Sequence, residues 1–543
     1  MADVVLTGGV IWDGVASANT EGSNPTAIAI SDGRILAVGS DDEIGALAGS
    51  RTERIALNGR RVVPGLIDAH THFVEGGFEL ASVQLRDAGT PAEFVRRIGE
   101  FAADHPGEWM VGGLWDHEAW GGELPRRDWI DSVTPNTPVL VNRLDAHMAL
   151  ANTVALDLAG VTSETPDPPG GTIVRYPDGR PTGILKDAAS ALVSDAMPAR
   201  SEAELDRALQ TAIDHAVARG VTMVGDMGDW DGHETYRRAL SRGELPIRIY
   251  SVVQIAGRDR MADYVSEHGR GDHRLFWGGV KAFVDGSLGS TTAWFNEPYA
   301  DEPETAGLIV SDTAELRSAI HVSDAAGLQV IAHAIGDRAN DWLLDVFSEA
   351  SETNGERDRR FRIEHAQHLS ESAVNRFSSE SVIPSMQPYH AADDGRWAVR
   401  RIGPERIKRS YVFRDLLDSG ARLAFGSDWT VAPIEPLFGI WAAVTRQTLD
   451  GANPDGWLPE QKISVAEAVA GYTTGAAYSC FMEDHVGTLE PGKYADLVVL
   501  SDDIFTIDPA AIKDVQVDVT MVEGEVVYSR GAGSGEQGVV GGR

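Results

Sequence analysis

One cysteine, Cys480, among 543 residues excludes an internal disulfide and any metal site built from cysteines alone. It stands in the helix-like run Ala476-Ala477-Tyr478-Ser479-Cys480-Phe481, where core packing is its expected role. No apolar run reaches the ~20 residues needed to cross a bilayer. The opening Met1-Ala2-Asp3-Val4-Val5 lacks the basic start and long apolar stretch of a secretory signal, so a cytoplasmic protein is expected. Positive charge is short: the formal net charge is −35, and six of the 47 basic side chains are lysine. A phosphate backbone would be repelled, which excludes nucleic acid as a partner. The acidic residues are dispersed, reading as a solvated surface and not as a binding tail. A small-molecule substrate is the expected partner, with no membrane and with a homodimer allowed.

What is present divides into two textures. Both chain ends are strand-rich. Val4 to Trp12 reads as one strand, Ala27–Ile30 faces Arg34–Val38 across Ser31-Asp32-Gly33 as a hairpin, and Val517 to Tyr528 reads as two strands turning at Glu523-Gly524-Glu525. A small β-sandwich domain built from residues 1–61 and 485–530 is expected, with a disordered glycine-rich tail over 531–543.

Residues 62–484 instead alternate apolar strands with amphipathic helices such as Glu202–Ala218 and Thr313–Ala326. The strands are Val62–His72, Thr222–Asp226, Ile247–Val252, Gly279–Asp285, Leu328–His333, Phe361–His365, Val382–Met386 and Arg422–Asp428. Eight strand–helix units predict an α/β fold, a (β/α)8 TIM barrel, with its chemistry at the C-terminal ends of the strands. The stretch 76–200, after the first barrel strand, is too long for a loop and is expected to be an inserted cap subdomain. Its Trp109, Trp115, Trp120 and Trp129 either line a pocket for an apolar substrate or form the insertion's own core.

The first barrel strand runs through Pro64-Gly65-Leu66-Ile67-Asp68-Ala69 into His70-Thr71-His72. Side chains alternate along a strand, so the two histidines project to one side and can hold an ion with a further acidic ligand. Later strands end in His333, His365 and Asp428. Singly, each has an ordinary role as a buried structural histidine or a helix N-cap. Together they point at one place, because barrel strand ends converge. Lys281 interrupts the apolar Gly279-Val280-Lys281-Ala282-Phe283-Val284, where an unpaired ammonium is costly. It is either ion-paired with Asp285 or Asp226, or a desolvated, nucleophilic amine able to capture carbon dioxide as a carbamate.

This set, with Val280 to Ser290, His333-Ala334-Ile335-Gly336-Asp337 and Met386-Gln387-Pro388-Tyr389-His390, resembles the metal-dependent amidohydrolase superfamily. The resemblance is to its YtcJ-like branch, which includes N-substituted formamide deformylases, and it spans nearly the whole chain. Thr430 departs from the branch, which often has proline there. The resemblance implies one or two divalent ions: His70, His72 and Asp428 on one, His333 and His365 on the other, and carbamylated Lys281 (carboxylysine) between them. Zinc suits such ligands best, with manganese, iron or cobalt as alternatives.

The activity implied is hydrolysis of a non-peptide, amide-type C–N bond by a metal-activated hydroxide. Asp428 would be the general base and then the proton donor to the departing amine. The metal and a donor such as His390 would polarise the carbonyl. Tyr389, Trp115 and His117, with His147 and Asp116, are candidate substrate contacts. The same ions can serve ester or lactone hydrolysis, or isomerisation, since a fold does not fix a reaction. A non-catalytic barrel is the third reading, disfavoured because no proposed ligand is missing.

Overall fold

Gly65 divides what reads as a single strand. Arg61–Pro64 pairs with Leu497–Leu500 in one sheet, while Leu66–Thr71 (β1) enters another. A Cβ at Gly65 would lie 2.2 Å from Thr222 Oγ1, so only glycine lets the chain pass between the sheets there. This computed structural model describes residues 1–15 and 25–531. The tail expected over 531–543 lies, beyond its first residue, outside them.

β1 opens a run of eight parallel strands. The others are Val221–Met227 (β2), Arg248–Gln254 (β3), Leu275–Phe283 (β4), Gln329–Ala334 (β5), Arg362–His365 (β6), Ile383–Met386 (β7) and Ala424–Phe425 (β8). Neighbours in sequence are neighbours in the sheet. Both faces are apolar, as parallel strands buried on two sides require. Ile67, Met223, Val252, Ile331 and Ile383 share one buried cluster. Val224, Ile249, Val330 and Ile363 belong to another, with Leu209 and Leu343 of the helices Glu202–Val217 and Asp337–Asn354.

The ring closes between β8 and β1 through main chain. Asp428 N–H donates to the His70 carbonyl at 2.8 Å, and His72 N–H to the Trp429 carbonyl at 2.5 Å. Gly426 permits the approach, since a Cβ there would lie 2.6 Å from the His70 nitrogen. The strand expected over Arg422–Asp428 is regular only across Ala424–Phe425, and the residues after it make this seam.

At the chain ends a four-stranded and a five-stranded sheet pack over Leu6, Ile28, Ile30, Val62, Leu497 and Met521. Val4 to Trp12 is two strands and not one. Gly8, at φ 71°, breaks it, so that Ala2–Thr7 joins the first sheet and Val10–Ile11 the second. The hairpin at Asp32 and Gly33 forms, with φ of 51° and 72°, the paired positive values of a type I′ turn. Pairing of Arg61–Pro64 carries this unit past residue 61.

Between β1 and β2 lies a further five-stranded sheet, ordered Gly171–Arg175, Pro181–Asp187, Met148–Ala151, Val139–Arg143, Met110–Trp115. It has its own core of Phe94, Trp115, Ile130, Val141 and Leu150. Cys480 is buried. No described helix is long and apolar enough to cross a membrane.

Candidate active site

Alternation along β1 puts His70 and His72 on one side, and the seam sets Asp428 opposite them. Both imidazoles turn Nε2 toward Asp428 Oδ1, at 3.3 Å from His70 and 3.4 Å from His72. His365, ending β6, has Nδ1 3.9 Å from Asp428 Oδ2 and 2.8 Å from Gln387 Oε1. Asp428 holds φ at 60° and His365 at 74°. Left-handed backbone at a non-glycine residue costs roughly 1–2 kcal/mol. Surrounding structure must impose it, and such residues cluster at functional sites.

Two buried carboxylates arrange these groups. Glu364 Oε2 accepts from His70 Nδ1, and Arg362 Nε donates to Glu364 Oε1 at 2.8 Å. Burial pushes the Glu364 carboxyl up, but Arg362 and then His70 outweigh it and hold it down at about 2. The bond fixes the His70 tautomer and leaves its Nε2 lone pair for a cation. Asp68 Oδ1 accepts the backbone N–H of His70 at 3.2 Å and of Ser427 at 2.9 Å, joining β1 to the segment after β8. Burial raises the Asp68 carboxyl to about 6 in spite of these bonds.

Lys281 is buried in β4 with Nζ 3.5 Å from His70 Nε2. It makes neither of the two ion pairs open to it in the sequence. Asp285 accepts the backbone N–H groups of Trp294, Ile335 and Gly336 at 2.7, 3.0 and 2.9 Å. Asp226 accepts from the Phe73 N–H at 2.7 Å and the Tyr236 hydroxyl at 2.8 Å. Burial lowers the Lys281 ammonium to about 8, with the Glu364 and Asp428 carboxylates opposing. A neutral amine is therefore within reach near neutral pH.

His333, in β5, has Nε2 3.0 Å from the Gly286 carbonyl and its ring centroid 4.5 Å from that of His365. Burial first, then neighbouring positive groups, hold both imidazoles well below the usual histidine range. That is the neutral, ligating form. The donor atoms of His70, His72 and Asp428 lie within 4.8 Å of one another, as do those of His365, His390 and Asp428. His333, expected beside His365 on a second ion, stands outside that grouping, with Nε2 taken by the Gly286 carbonyl. His390, expected only to polarise a carbonyl, is inside it. Its buried Nε2 has no hydrogen-bond partner among the described residues. Imidazole nitrogens, a shared carboxylate and an orphaned ring nitrogen are a donor set that fits a divalent cation.

A cavity opens over His333, His365, His390 and Asp428, walled on one side by Arg143, Asp145 and His147 of the inserted segment. His147 lines it, with Nδ1 2.6 Å from Asp187 Oδ1. The other expected contacts do not. His117 is buried behind Arg143, whose Nε donates to its Nδ1 at 3.2 Å, and burial with that cation lowers it to about 3. Asp116 pairs with Arg396 at 3.3 Å. Trp115 is fully buried against Phe94, its indole N–H bonded to the Val141 carbonyl at 2.9 Å, so it packs the insertion's core. Tyr389 packs on Phe438 and is not among the lining residues. Arg143, Asp145 and Glu364 are contributors that no motif singles out. Arg362 and Glu364, charged at alternate positions of a wholly buried strand, do carry a readable signal. Arg143 carries none short of the fold.

Over residues 53–528 the chain matches the amidohydrolase family. It is 42 % identical to Protein LONG AFTER FAR-RED 3 of Arabidopsis thaliana, over 97 % of this chain and 92 % of that protein. Putative amidohydrolase YtcJ of Bacillus subtilis is 32 % identical, over 96 % of this chain and 99 % of its own. N-substituted formamide deformylase of Arthrobacter pascens is 30 % identical, over 96 % and 98 %. Among solved structures, an uncharacterized metal-dependent hydrolase from Pyrococcus horikoshii aligns with a TM-score of 0.75 at 28 % identity, covering 93 % of this chain and 99 % of that one.

Proposed function

The chain belongs to the amidohydrolase family and is a metal-dependent hydrolase of its YtcJ-like branch, and from that premise we propose that it hydrolyses a non-peptide, amide-type carbon–nitrogen bond. N-substituted formamides come first as substrates, after the name of one relative.

One observation carries the reading. Asp428 serves both donor groups at once, with Oδ1 toward His70 and His72 and Oδ2 toward His365, and it lines the cavity. Burial pushes its carboxyl up, but the imidazoles, His70 first, hold it well below the usual range. It is therefore an ionised base at neutral pH. In the proposed reaction Asp428 takes the proton of the attacking water and passes it to the departing amine. His390 offers a ring N–H to the substrate carbonyl oxygen.

His70, His72 and Asp428 would hold one cation, and His365 with His333 a second; were His390 to take the place of His333 on that ion, its free Nε2 would be a ligand and no longer a donor to the carbonyl. Lys281, its amine made available by burial, would carry a carbamate between them. Zinc, when bound, acidifies water and polarises a carbonyl. The setting proposed is cytoplasmic, with a small-molecule substrate.

The test is a panel of N-substituted formamides, acylated amines, esters and lactones, run on protein stripped of metal and then reloaded. Turnover of a C–N compound that disappears on chelation and returns with zinc or manganese is expected. Ester-only turnover, or indifference to the chelator, overturns the proposal.

A further inference from the structure

The wall supplied by the inserted segment holds a second buried polar group without a partner. Arg143 is 1 % exposed and lines the cavity. Its Nε donates to His117 Nδ1 at 3.2 Å, and its Nη1 is ion-paired with Asp145 Oδ2 at 2.6 Å. Nη2 has no hydrogen-bond partner among the described residues. Asp116 Oδ1 stands 3.7 Å from it, beyond hydrogen-bond reach.

A buried donor left unpaired costs about 1–3 kcal/mol, yet the surroundings are built to keep this one in place. Asp145 is itself held by the hydroxyls of Ser287 and Ser290, the latter at 3.0 Å. Gly289 leaves the guanidinium room, since a Cβ there would fall 2.4 Å from Arg143 Nη1. Nη2 is thus a free donor on a side chain that lines the cavity.

Charge decides the class of that ligand. The one positive charge of Arg143 already faces two carboxylates, Asp145 and Asp116. Arg396, which shares Asp116, is also tied to Asp393. An incoming carboxylate would meet this acidic wall with no spare cation on it. A neutral oxygen satisfies the N–H groups without adding charge.

We propose that Arg143 Nη2 recognises an uncharged oxygen acceptor (an amide, ester or hydroxyl oxygen) on the part of the substrate remote from the bond that breaks. Substrates ending there in a carboxylate or a plain alkyl group are selected against. The inference rests on the reading of this cavity as the active site of a C–N hydrolase.

Three N-substituted formamides of matched length, ending in a primary amide, a carboxylate or a methyl group, test it. Each is measured for kcat/KM and, by titration calorimetry, for binding to the metal-loaded protein. Wild type should favour the amide-ended compound by roughly 10- to 100-fold over the other two, mainly through KM. In Arg143→Met and Gly289→Ala that preference should fall to within about threefold of none, with metal content unchanged. Arg143→Met strands Asp145 in the interior and can fail to fold, whereas Gly289→Ala keeps every charge and only displaces the guanidinium. Equal loss on all three compounds in Gly289→Ala, or a wild-type preference for the carboxylate, overturns the inference. If wild type cleaves none of the three, the C–N hydrolase reading falls. The calorimetric preference for the amide over the methyl end then decides the role of Arg143 by itself.

Discussion

His70 and Glu364 form a buried pair in which the carboxylate takes Nδ1, so that Nε2 is the nitrogen turned to Asp428. Glutamine at position 364 keeps the shape but gives up the charge that enriches the imidazole. Glu364→Gln should weaken divalent-metal affinity roughly 10- to 100-fold, the usual effect of losing a group that orients a ligand. Competition against a chromogenic chelator measures it, and an unchanged affinity would refute the role.

The same carboxylate ties stability to acidity. Its pKa is held at about 2 against an ordinary 4.5. A depressed carboxyl contributes fully above its unfolded value and loses the contribution as pH falls through the folded one, here between 4.5 and about 2. The shift corresponds to about 3 kcal/mol. Urea melts of metal-free protein should show wild type ahead of Glu364→Gln by that order near neutrality, with the gap narrowing steadily below pH 4.5. A gap independent of pH would contradict the assignment.

Asp428→Asn removes the shared base while keeping its volume. Turnover should drop by roughly 10²- to 10⁴-fold or more, with circular dichroism close to wild type. His70→Ala should be at least as damaging to activity. Substantial turnover by Asp428→Asn would move the proton transfer to another residue.

Lys281→Ala should lose activity together with part of the bound metal, and short carboxylic acids supplied with metal should restore some of both. Metal analysis and rescue kinetics read the outcome. Full activity without rescue would end the bridging role.

Gly426→Ala tests the seam. A Cβ there would lie 2.6 Å from the His70 nitrogen and 2.8 Å from Asp68 Oδ1. Overpacking of this kind costs about 1–3 kcal/mol. The variant should melt lower and lose activity beyond what its stability loss explains, because β1 and Asp428 move apart. Wild-type kinetics in a folded Gly426→Ala would show that the closure need not be so tight.

The barrel and its ligand-competent residues are legible because period and punctuation announce them. Apolar runs end in histidine or aspartate, and alternation fixes which way His70 and His72 face. Partnerships across the fold are not announced. Glu364 looks like a neighbour of His365, yet alternation turns it to the other side of β6, where Arg362 and His70 hold it. Trp115 and His117 lie two residues apart, but the strand ends at Trp115, which packs in a core, and the chain turns into a short helix at His117, which sits behind Arg143. His390 follows Pro388-Tyr389 as a loop histidine would, and only the packing of β7 beside β6 brings it to Asp428. The break at Gly8 failed to show for a similar reason, since sheet membership is a matter of partner strands and not of local pattern.

The zipper that shuts the barrel is sewn with catalytic thread: the N–H of Asp428 to the carbonyl of His70, and the N–H of His72 to that of Trp429. Whatever ion clasps the side chains of these residues therefore also fastens the first and last staves of the cask. Stripped of it, the molecule should part along this line before any other, with amide exchange quickening there while the remaining strands stay shut.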